Sequence, residues 1–309
     1  MAFDSISALQ LLRFDEGFEG DIRFEEPMSR HTTYRIGGPA RCWVQVNSIS
    51  ALSQILNICA RSNMAWVAVG KGSNLLVSDA GYDGVALSLD GDFKKWNFDQ
   101  DEMKFTVGAG TSLARIVQAA FHQGVSGMEF AVGTPGTLGG ALRMNAGTKT
   151  EWLGQHVFSL TTFSHESGLH RYRASDIEWS YRRSSIPIDE IVVECVLSVK
   201  PGQGPMIRAT MDGSLARRKR SQPLDYPSCG SVFKNPEGHS AGALIEQSGL
   251  KGTAIGGAQI SLKHANFIVN KGNATAEDVV SLIRLVQDKV KQDHGIELQP
   301  EVRFLGFAQ

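Results

Sequence analysis

Residues 133–140 read Gly-Thr-Pro-Gly-Thr-Leu-Gly-Gly, the densest run of glycine in the chain. Glycines remove side chains and allow positive φ, while Pro135 stiffens the turn. Such a run lets a planar or phosphorylated ligand lie on the backbone, and the residues after it are expected to begin a helix whose N-terminus favours anions. Asn145-Ala146-Gly147 follows closely. A long surface loop is the alternative interpretation.

A second glycine-rich stretch, Gly70-Lys71-Gly72-Ser73-Asn74, follows a short apolar strand predicted over 65–69. Successive N–H groups in such a turn point at one spot and form a nest for phosphate oxygens. The stretch lacks the pattern of a Walker A loop, and an ordinary strand-exit turn is the alternative. Because both glycine loops follow apolar strands, we favour one shared dinucleotide.

A third stretch, Gly108-Ala109-Gly110-Thr111-Ser112, follows a predicted strand and opens a predicted helix, as a Rossmann fingerprint does. Leu113 replaces the third glycine of that fingerprint, and no acidic residue ends a strand about 20 residues later. We therefore expect this stretch to serve packing.

The composition excludes several classes of protein. Glycine accounts for 33 of 309 residues, above the average share of about 7%. Apolar and charged shares of 42% and 20% exclude a disordered chain, and a net charge of -1 argues against a chain-wide nucleic-acid surface. The cysteines lack C-x-x-C spacing and the histidines lack metal spacing. Neither a signal peptide nor a long apolar run is visible, so we expect a cytoplasmic protein without metal or membrane segment.

Hydrophobic periodicity predicts helices and strands along the whole chain. A β-α-β pattern covers residues 41–69, with Ser50 as the expected helix cap. The first 30 residues are expected to be a surface arm or an opening helix. The other predicted strands are 85–89, 105–109, 157–163, 191–199, 267–269 and 296–305, the other predicted helices are 112–123, 207–219, 240–248 and 275–295, and 201–205 is a predicted linker. Thr275 and Asp278 resemble a capping box.

Two motifs place polar side chains beside glycine or between strands. Arg182, in Tyr181-Arg182-Arg183-Ser184, can pair with a carboxylate through two parallel hydrogen bonds, although a solvated surface pair is the simpler interpretation. Ser231, Lys234 and Asn235 follow Gly230, which would let a ligand approach Ser231. The G-x-S-x-G pattern of a hydrolase serine is missing.

The remaining candidate site residues are a run of basic residues and one glutamate. The run Arg217-Arg218-Lys219-Arg220 suits an anionic substrate, or else is a solvated helix end. Glu301 is flanked by Pro300 and Val302. A partly buried carboxyl at this position would have a raised pKa and stay protonated, whereas an edge-strand glutamate is the alternative.

Together these motifs resemble the UDP-N-acetylenolpyruvoylglucosamine reductase family, flavin enzymes of peptidoglycan precursor synthesis. The resemblance runs from about residue 32 to 306 and lies in the segments 33–38, 70–77, 133–140, 145–147, 181–182, 230–236 and 300–303. It implies an α+β fold: a two-part FAD-binding fold of the flavoprotein type and a C-terminal α+β substrate-binding domain. The implied domains are 1–85, 86–203 and 204–309, and whether the last strand returns to the FAD part is left open.

The resemblance also implies the site residues. Arg182, Ser231 and Glu301 would be catalytic, and Lys219, Lys234 and Asn235 would bind the substrate, with the choice among Arg217 to Arg220 left open. The implied cofactor-binding residues are Tyr34, Ile36, Gly70, Lys71, Gly72, Ser73, Asn74, Gly133, Thr134, Pro135, Gly136, Gly139, Gly140, Asn145 and Gly147.

The implied reaction uses FAD and NADPH to reduce the enolpyruvyl ether of a UDP-sugar to a lactyl ether. From the sequence itself we expect neither nucleic-acid nor membrane binding, and a monomer is assumed with the oligomeric state left open. Thr148-Lys149-Thr150-Glu151 departs from the small residues usual in the family. The absence of a long insertion after Arg182 fits the compact subgroup that lacks a tyrosine lid. The alternatives are another FAD oxidoreductase on the same fold, such as an oxidase of a hydroxy acid or sugar, and a nucleotide-sugar binding protein without redox chemistry.

Overall fold

The computed structural model describes residues 4–307 as two compact units, each with its own apolar core. The first unit contains residues 4–24, 42–70 and 84–216, and the second contains 25–41, 71–83 and 217–307. Strands and helices occur in both units, so the predicted α+β class is confirmed.

The described strands and helices are as follows. The strands are β1 Gly20–Pro27, β2 Pro39–Val46, β3 Trp66–Ala68, β4 Leu75–Val77, β5 Tyr82–Leu89, β6 Trp96–Asp99, β7 Lys104–Gly108, β8 Val125–Ser126, β9 Val157–Ser164, β10 Gly168–Arg173, β11 Trp179–Ser180, β12 Arg183–Ser184, β13 Ile191–Ser198, β14 Lys200–Pro201, β15 Ala254–Ile255, β16 Ala258–Ile260, β17 Ile268–Asn270 and β18 Arg303–Leu305. The helices are α1 Ser5–Arg13, α2 Ile49–Ser62, α3 Leu113–His122, α4 Leu138–Arg143, α5 Gly204–Ser221, α6 Ala241–Gln247 and α7 Ala276–His294.

The first unit contains two large sheets, besides the two-stranded pairs β11-β12 and β8-β14. A four-stranded sheet of order β1-β2-β5-β3 packs with α1 and α2 around one cluster of buried side chains. An antiparallel five-stranded sheet of order β10-β9-β13-β7-β6 packs with α3, α4 and the start of α5 around another. The second unit is smaller: β15, β16 and β17 form an antiparallel sheet against α6 and α7, and β18 runs parallel to β4.

Side-chain caps explain where the predicted helices begin. Ser112 and Ser240 cap α3 and α6, and Thr275 with Asp278 forms the predicted capping box of α7. The cap of α2 was expected at Ser50 and is instead Ser48, whose hydroxyl accepts the N–H of Ala51. Ser48 is the residue with extended φ and ψ, which the cap position requires.

Three other expectations about the elements hold only in part. The opening of the chain contains a helix, as one alternative held, but residues 20–27 are strand β1 rather than a surface arm. The closing strand is only Arg303–Leu305, because Pro300 has no N–H for a ladder and pairs only through an isolated bridge with Phe233. The predicted linker 201–205 is partly regular structure, since Pro201 belongs to β14 and α5 begins at Gly204.

The stretch 108–112 serves packing, as expected. A Cβ added at Gly108 or Gly110 would overlap the main-chain oxygen of Phe93 or Leu89. Within residues 4–307, no helix is long and apolar enough to cross a membrane, and no group of three or more His, Cys, Asp or Glu side chains could hold a metal ion.

Candidate active site

The glycine loop 133–140 of the first unit packs against residues 108–112, the stretch that we expected to have a packing role. The N–H groups of Leu138 and Gly139 donate to the carbonyl oxygens of Thr111 and Ala109, each at 2.9 Å. The apparent Rossmann fingerprint therefore supports the predicted cofactor loop through its main-chain carbonyls.

The conformation of this loop depends on glycine. Gly133 and Gly136 have φ of 71° and 135°, a region that other residues rarely adopt. Thr137 caps α4, and its hydroxyl occupies the space that a Cβ at Gly70 would need. Gly70 and the loop 133–140 thus approach each other at a point where no larger residue fits.

The loop 71–74 belongs to the second unit. Gly72 has a φ of 57°, and a Cβ there would overlap the carbonyl oxygen of His31. Its own carbonyl accepts the N–H of Thr33 at 3.3 Å. Among residues 4–307, the N–H groups of Lys71 and Gly72 donate to no acceptor, so both are available to an anion.

Tyr34 is fully buried in the core of the second unit. Its hydroxyl donates to the carbonyl of Ile268 at 3.0 Å and is hydrogen-bonded to the thiol of Cys229, while its carbonyl accepts from Nδ2 of Asn270 at 3.0 Å. Burial raises the pKa of Cys229 to about 12, which makes the thiol unreactive near neutral pH. Ile36 is buried as well, and the predicted contacts of Tyr34 and Ile36 with a cofactor stay predictions.

Arg182 lies in the turn between β11 and β12, here called the Arg182 hairpin (residues 179–184). Its φ is 59°, and this left-handed conformation costs a non-glycine residue about 1–2 kcal/mol. Nη1 of Arg182 donates to the carbonyl of Gly147 at 3.1 Å. A long cationic side chain kept at a position that favours glycine points to a function.

The side chain of Asn145 supports the Arg182 hairpin. It is buried, its Nδ2 donates to the carbonyl of Ser180, and its Oδ1 accepts the N–H of Gly154, both at 3.0 Å. The predicted cofactor residues Asn145 and Gly147 therefore both bond to the hairpin or to its arginine.

Arg143, which the sequence analysis did not single out, fixes the chain after the hairpin. Its guanidinium donates to the carbonyls of Ile186 at 3.1 Å, Pro187 at 2.9 Å and Glu190. Its own carbonyl accepts from the hydroxyl of Ser184 at 3.2 Å.

The departure from the family pattern at 148–151 forms a closed turn. The Thr148 N–H donates to the carbonyl of Glu151 at 2.7 Å, and the Thr148 hydroxyl accepts the N–H groups of Thr150 and Glu151. A Cβ at Gly147 would overlap the Glu151 carbonyl, so the turn requires glycine before it.

Residues 231–235, here called the Ser231 segment, pair with residues 299–302 in the second unit. The N–H of Glu301 donates to the carbonyl of Val232 at 2.7 Å, and the N–H of Lys234 donates to that of Gln299 at 2.9 Å. This pairing brings the main chain of Glu301 next to the residue that follows Ser231.

Asn74, from the second glycine loop, contacts Glu301 and Arg303. Its Nδ2 donates to the carbonyl of Glu301, and its carbonyl accepts the N–H of Arg303, both at 3.0 Å. Within the second unit, the side chain of Asn74 thus joins a predicted cofactor loop to the main chain of a predicted catalytic acid.

The predicted substrate residues occupy half-buried or exposed positions. Lys234 is half-buried, whereas Asn235 and Lys219 are exposed. Oδ1 of Asn235 accepts the N–H of Ala241 at 3.0 Å, and the carbonyl of Lys219 accepts from Nζ of Lys263 at 2.6 Å.

Two family models match the chain. Residues 40–168 match the FAD binding domain, and residues 222–305 match the C-terminal domain of UDP-N-acetylenolpyruvoylglucosamine reductase. The reductase of Heliobacterium modesticaldum is 42% identical over 94% of this chain and 92% of its own length. The chain belongs to the UDP-N-acetylenolpyruvoylglucosamine reductase family.

Another reductase of this family, from Listeria monocytogenes, is 38% identical over 92% of this chain and 95% of its own. The crystal structure of the reductase from Thermus caldophilus matches with a TM-score of 0.80 and 35% identity, and covers 93% of this chain and 98% of that one. The predicted family, the FAD-binding fold with a C-terminal reductase domain, and the flavoprotein oxidoreductase class are thereby confirmed.

The residues present fit the FAD that family membership implies. In the second unit, free N–H groups at Lys71 and Gly72 are donors suited to a phosphate oxygen. In the first unit, Gly133 and Gly140 are exposed and carry no side chain that would keep a planar ring from the backbone.

Proposed function

We propose that the chain reduces the enolpyruvyl ether of UDP-N-acetylglucosamine enolpyruvate with NADPH, which gives UDP-N-acetylmuramate for peptidoglycan precursor synthesis. The observation that carries the proposal is 42% identity to a reductase of this name over 94% of the chain. Bound FAD supplies hydride transfer between NADPH and the sugar substrate.

We assign the two glycine loops to the cofactor. The loop 70–74 would donate main-chain N–H groups to the pyrophosphate, and the loop 133–140 would lie against the flavin. Residues 1–85 and 86–203 would form the FAD-binding part, and 204–309 the substrate-binding part.

Arg182 would bind the carboxylate of the enolpyruvyl group. An enol ether accepts hydride poorly unless its conjugated carboxylate takes up negative charge. The planar guanidinium can meet that carboxylate with two parallel hydrogen bonds, and a preorganised donor of this kind is worth about 3–4 kcal/mol. The bond from Nη1 to Gly147 holds the guanidinium in one orientation.

Ser231 would donate the proton that completes the reduction. Its hydroxyl would protonate the carbon next to the carboxylate, after hydride has reached the methylene carbon. A positioned acid contributes about 10²–10⁴-fold. Glu301 would remain protonated and donate a hydrogen bond to the same carboxylate.

Lys219, Lys234 and Asn235 would contact the diphosphate of the substrate, with the neighbours of Lys219 in the run 217–220 as the other candidates. We further propose that the enzyme works as a monomer in the cytoplasm, where its nucleotide substrates are found, without nucleic-acid or membrane partners. The compact form of the chain leaves the sugar without a tyrosine lid.

The test is stopped-flow reoxidation of the NADPH-reduced protein by UDP-N-acetylglucosamine enolpyruvate, followed through the flavin absorbance under exclusion of oxygen. We expect rapid reoxidation and formation of the lactyl ether. Reoxidation by oxygen but not by this sugar would identify an oxidase instead, and a colourless protein that binds the sugar would identify a binding protein without redox chemistry.

A further inference from the structure

Asn266 lies beside the Ser231 segment in the second unit and is 4% exposed. Its Oδ1 accepts the N–H of Phe233 at 2.9 Å, and its Nδ2 donates to the carbonyl of Phe233 at 2.8 Å. Its own carbonyl accepts the N–H of Val232 at 2.9 Å. One buried residue therefore makes three hydrogen bonds to the two residues that follow Ser231.

The hydrogen bonds from Asn266 hold the Ser231 segment on one edge. The hydrogen bond from the N–H of Glu301 to the carbonyl of Val232 holds it on the opposite edge. The residue before Ser231 is Gly230, with a φ of 82°, and glycine restrains the backbone least of all residues. Gly230 separates Ser231 from the buried Cys229, so the residues that follow Ser231 restrain its position more directly than those that precede it.

The loop that carries Asn266 is itself fixed. The N–H of Asn266 donates to Nδ1 of His264 at 3.2 Å, and the N–H of Ser261 donates to the carbonyl of Phe267 at 2.8 Å. The hydroxyl of Ser261 accepts the N–H of Lys263 at 3.1 Å. Asn266 thus connects a loop of fixed conformation to the Ser231 segment.

We infer that Asn266 is a positioning residue that places the hydroxyl of Ser231 for proton donation. The inference rests on the proposed function, because it needs Ser231 to be the acid. An asparagine amide offers one donor and one acceptor group to the main chain of the same residue, here Phe233, whereas an ionised aspartate offers only acceptors and alanine offers neither.

The experiment compares Asn266→Ala and Asn266→Asp with the wild type in two separate half-reactions. We expect flavin reduction by NADPH to remain at the wild-type rate. Reoxidation by saturating UDP-N-acetylglucosamine enolpyruvate should fall by about 100-fold, as for a catalytic group misplaced by about 1 Å. Saturation separates this fall from any weaker binding through Lys234 and Asn235 of the same segment. Asn266→Asp should be as slow as Asn266→Ala, since its second carboxylate oxygen faces the carbonyl of Phe233.

Asp79→Ala is the matched control. The Asp79 carboxylate accepts two main-chain N–H groups in the same unit, those of Ala276 and Glu277 at the start of α7. Its loss should lower the thermal midpoint and leave the ratio of the two half-reactions unchanged. Thermal midpoint and retained flavin report the folding of every variant.

A folded Asn266→Ala protein that is reoxidised at the wild-type rate, or that loses both half-reactions equally, would overturn the inference. If Asn266→Ala does not fold, Asn266→Ser, whose hydroxyl can keep one of the two bonds to Phe233, is judged by the same criteria. Failure of the wild type itself to be reoxidised by the sugar would overturn the proposed function, and the inference with it.

Discussion

The Arg182 hairpin of the first unit and the Ser231 segment of the second hold their residues by different means. The hairpin keeps Arg182 at a φ of 59° and is bonded to the side chain of Asn145, while the side chain of Arg143 holds the residues that follow it. The Ser231 segment pairs through its main chain with residues 299–302, and Asn266 adds one buried amide. Arg182 is thus held in a strained backbone beside the side chain of Asn145, whereas Ser231 precedes a segment that bonds through its main chain to residues 299–302.

The largest effect on the rate of reoxidation is expected at the Ser231 segment. Ser231→Ala should leave flavin reduction by NADPH intact and slow reoxidation by the sugar by about 10²–10⁴-fold, because a positioned acid is lost. Stopped-flow absorbance measures both steps. An equal fall of both would show that Ser231 supports the fold or the cofactor and is not the acid.

Arg182→Gly should separate stability from activity at the strained hairpin. Reoxidation by the sugar should fall by about 10²–10³-fold, because a preorganised cation is lost. Relief of the left-handed φ should offset the lost guanidinium contact and leave the free energy of unfolding equal or higher. Arg182→Ala is the control: it should be equally inactive and about 1 kcal/mol less stable than Arg182→Gly, since alanine keeps the strain. Urea unfolding measures this difference, and equal stabilities would contradict it.

Asn145→Ala tests whether the side-chain amide of Asn145 stabilises the Arg182 hairpin. It leaves the carbonyl of Ser180 and the N–H of Gly154 without the partner that Asn145 provides, so we expect a loss of about 1–3 kcal/mol in urea unfolding. Asn145 itself has a φ of 40°, so Asn145→Gly should lose less stability than Asn145→Ala. Weaker flavin binding at unchanged stability would instead make the amide a cofactor ligand.

The smallest effect concerns the thiol next to the Ser231 segment. Burial raises the pKa of Cys229 from 9.0 to about 12, so the folded state retains a proton that the unfolded chain loses near pH 9. The stabilisation is complete below that pH and declines as the pH rises toward about 12. Cys229→Ala should therefore lose less stability than the wild type between about pH 8 and 10 in urea unfolding. Identical pH dependence would indicate an accessible thiol.

Short sequence patterns correctly predicted the structural features that depend only on residues close together in the sequence. The glycine turns and the caps of α3, α6 and α7 follow from the conformation and hydrogen bonding of a few consecutive residues. Ser48 and Ser50 are two candidates for one cap, and only the backbone decides between them.

Hydrogen bonds between residues that are distant in the sequence could not be predicted from such short patterns. Asn266 bonds to a residue 33 positions away, and Asn74 to one 227 positions away. Strand β1 could not be recognised from a segment rich in acidic residues, because its pairing comes from later parts of the chain. The positions of Arg182, Ser231 and Glu301 in their motifs came from the family resemblance, and their roles stay proposals.

The closed turn 148–151 offers an attachment point for a spectroscopic probe. Lys149 and Thr150 are exposed, and the hydrogen bonds that close the turn come from Thr148, Thr150 and Glu151. All four native cysteines are buried. A dye coupled to Lys149→Cys would therefore lie two residues from the Gly147 carbonyl that receives Arg182, where its emission could follow the arginine through a catalytic cycle.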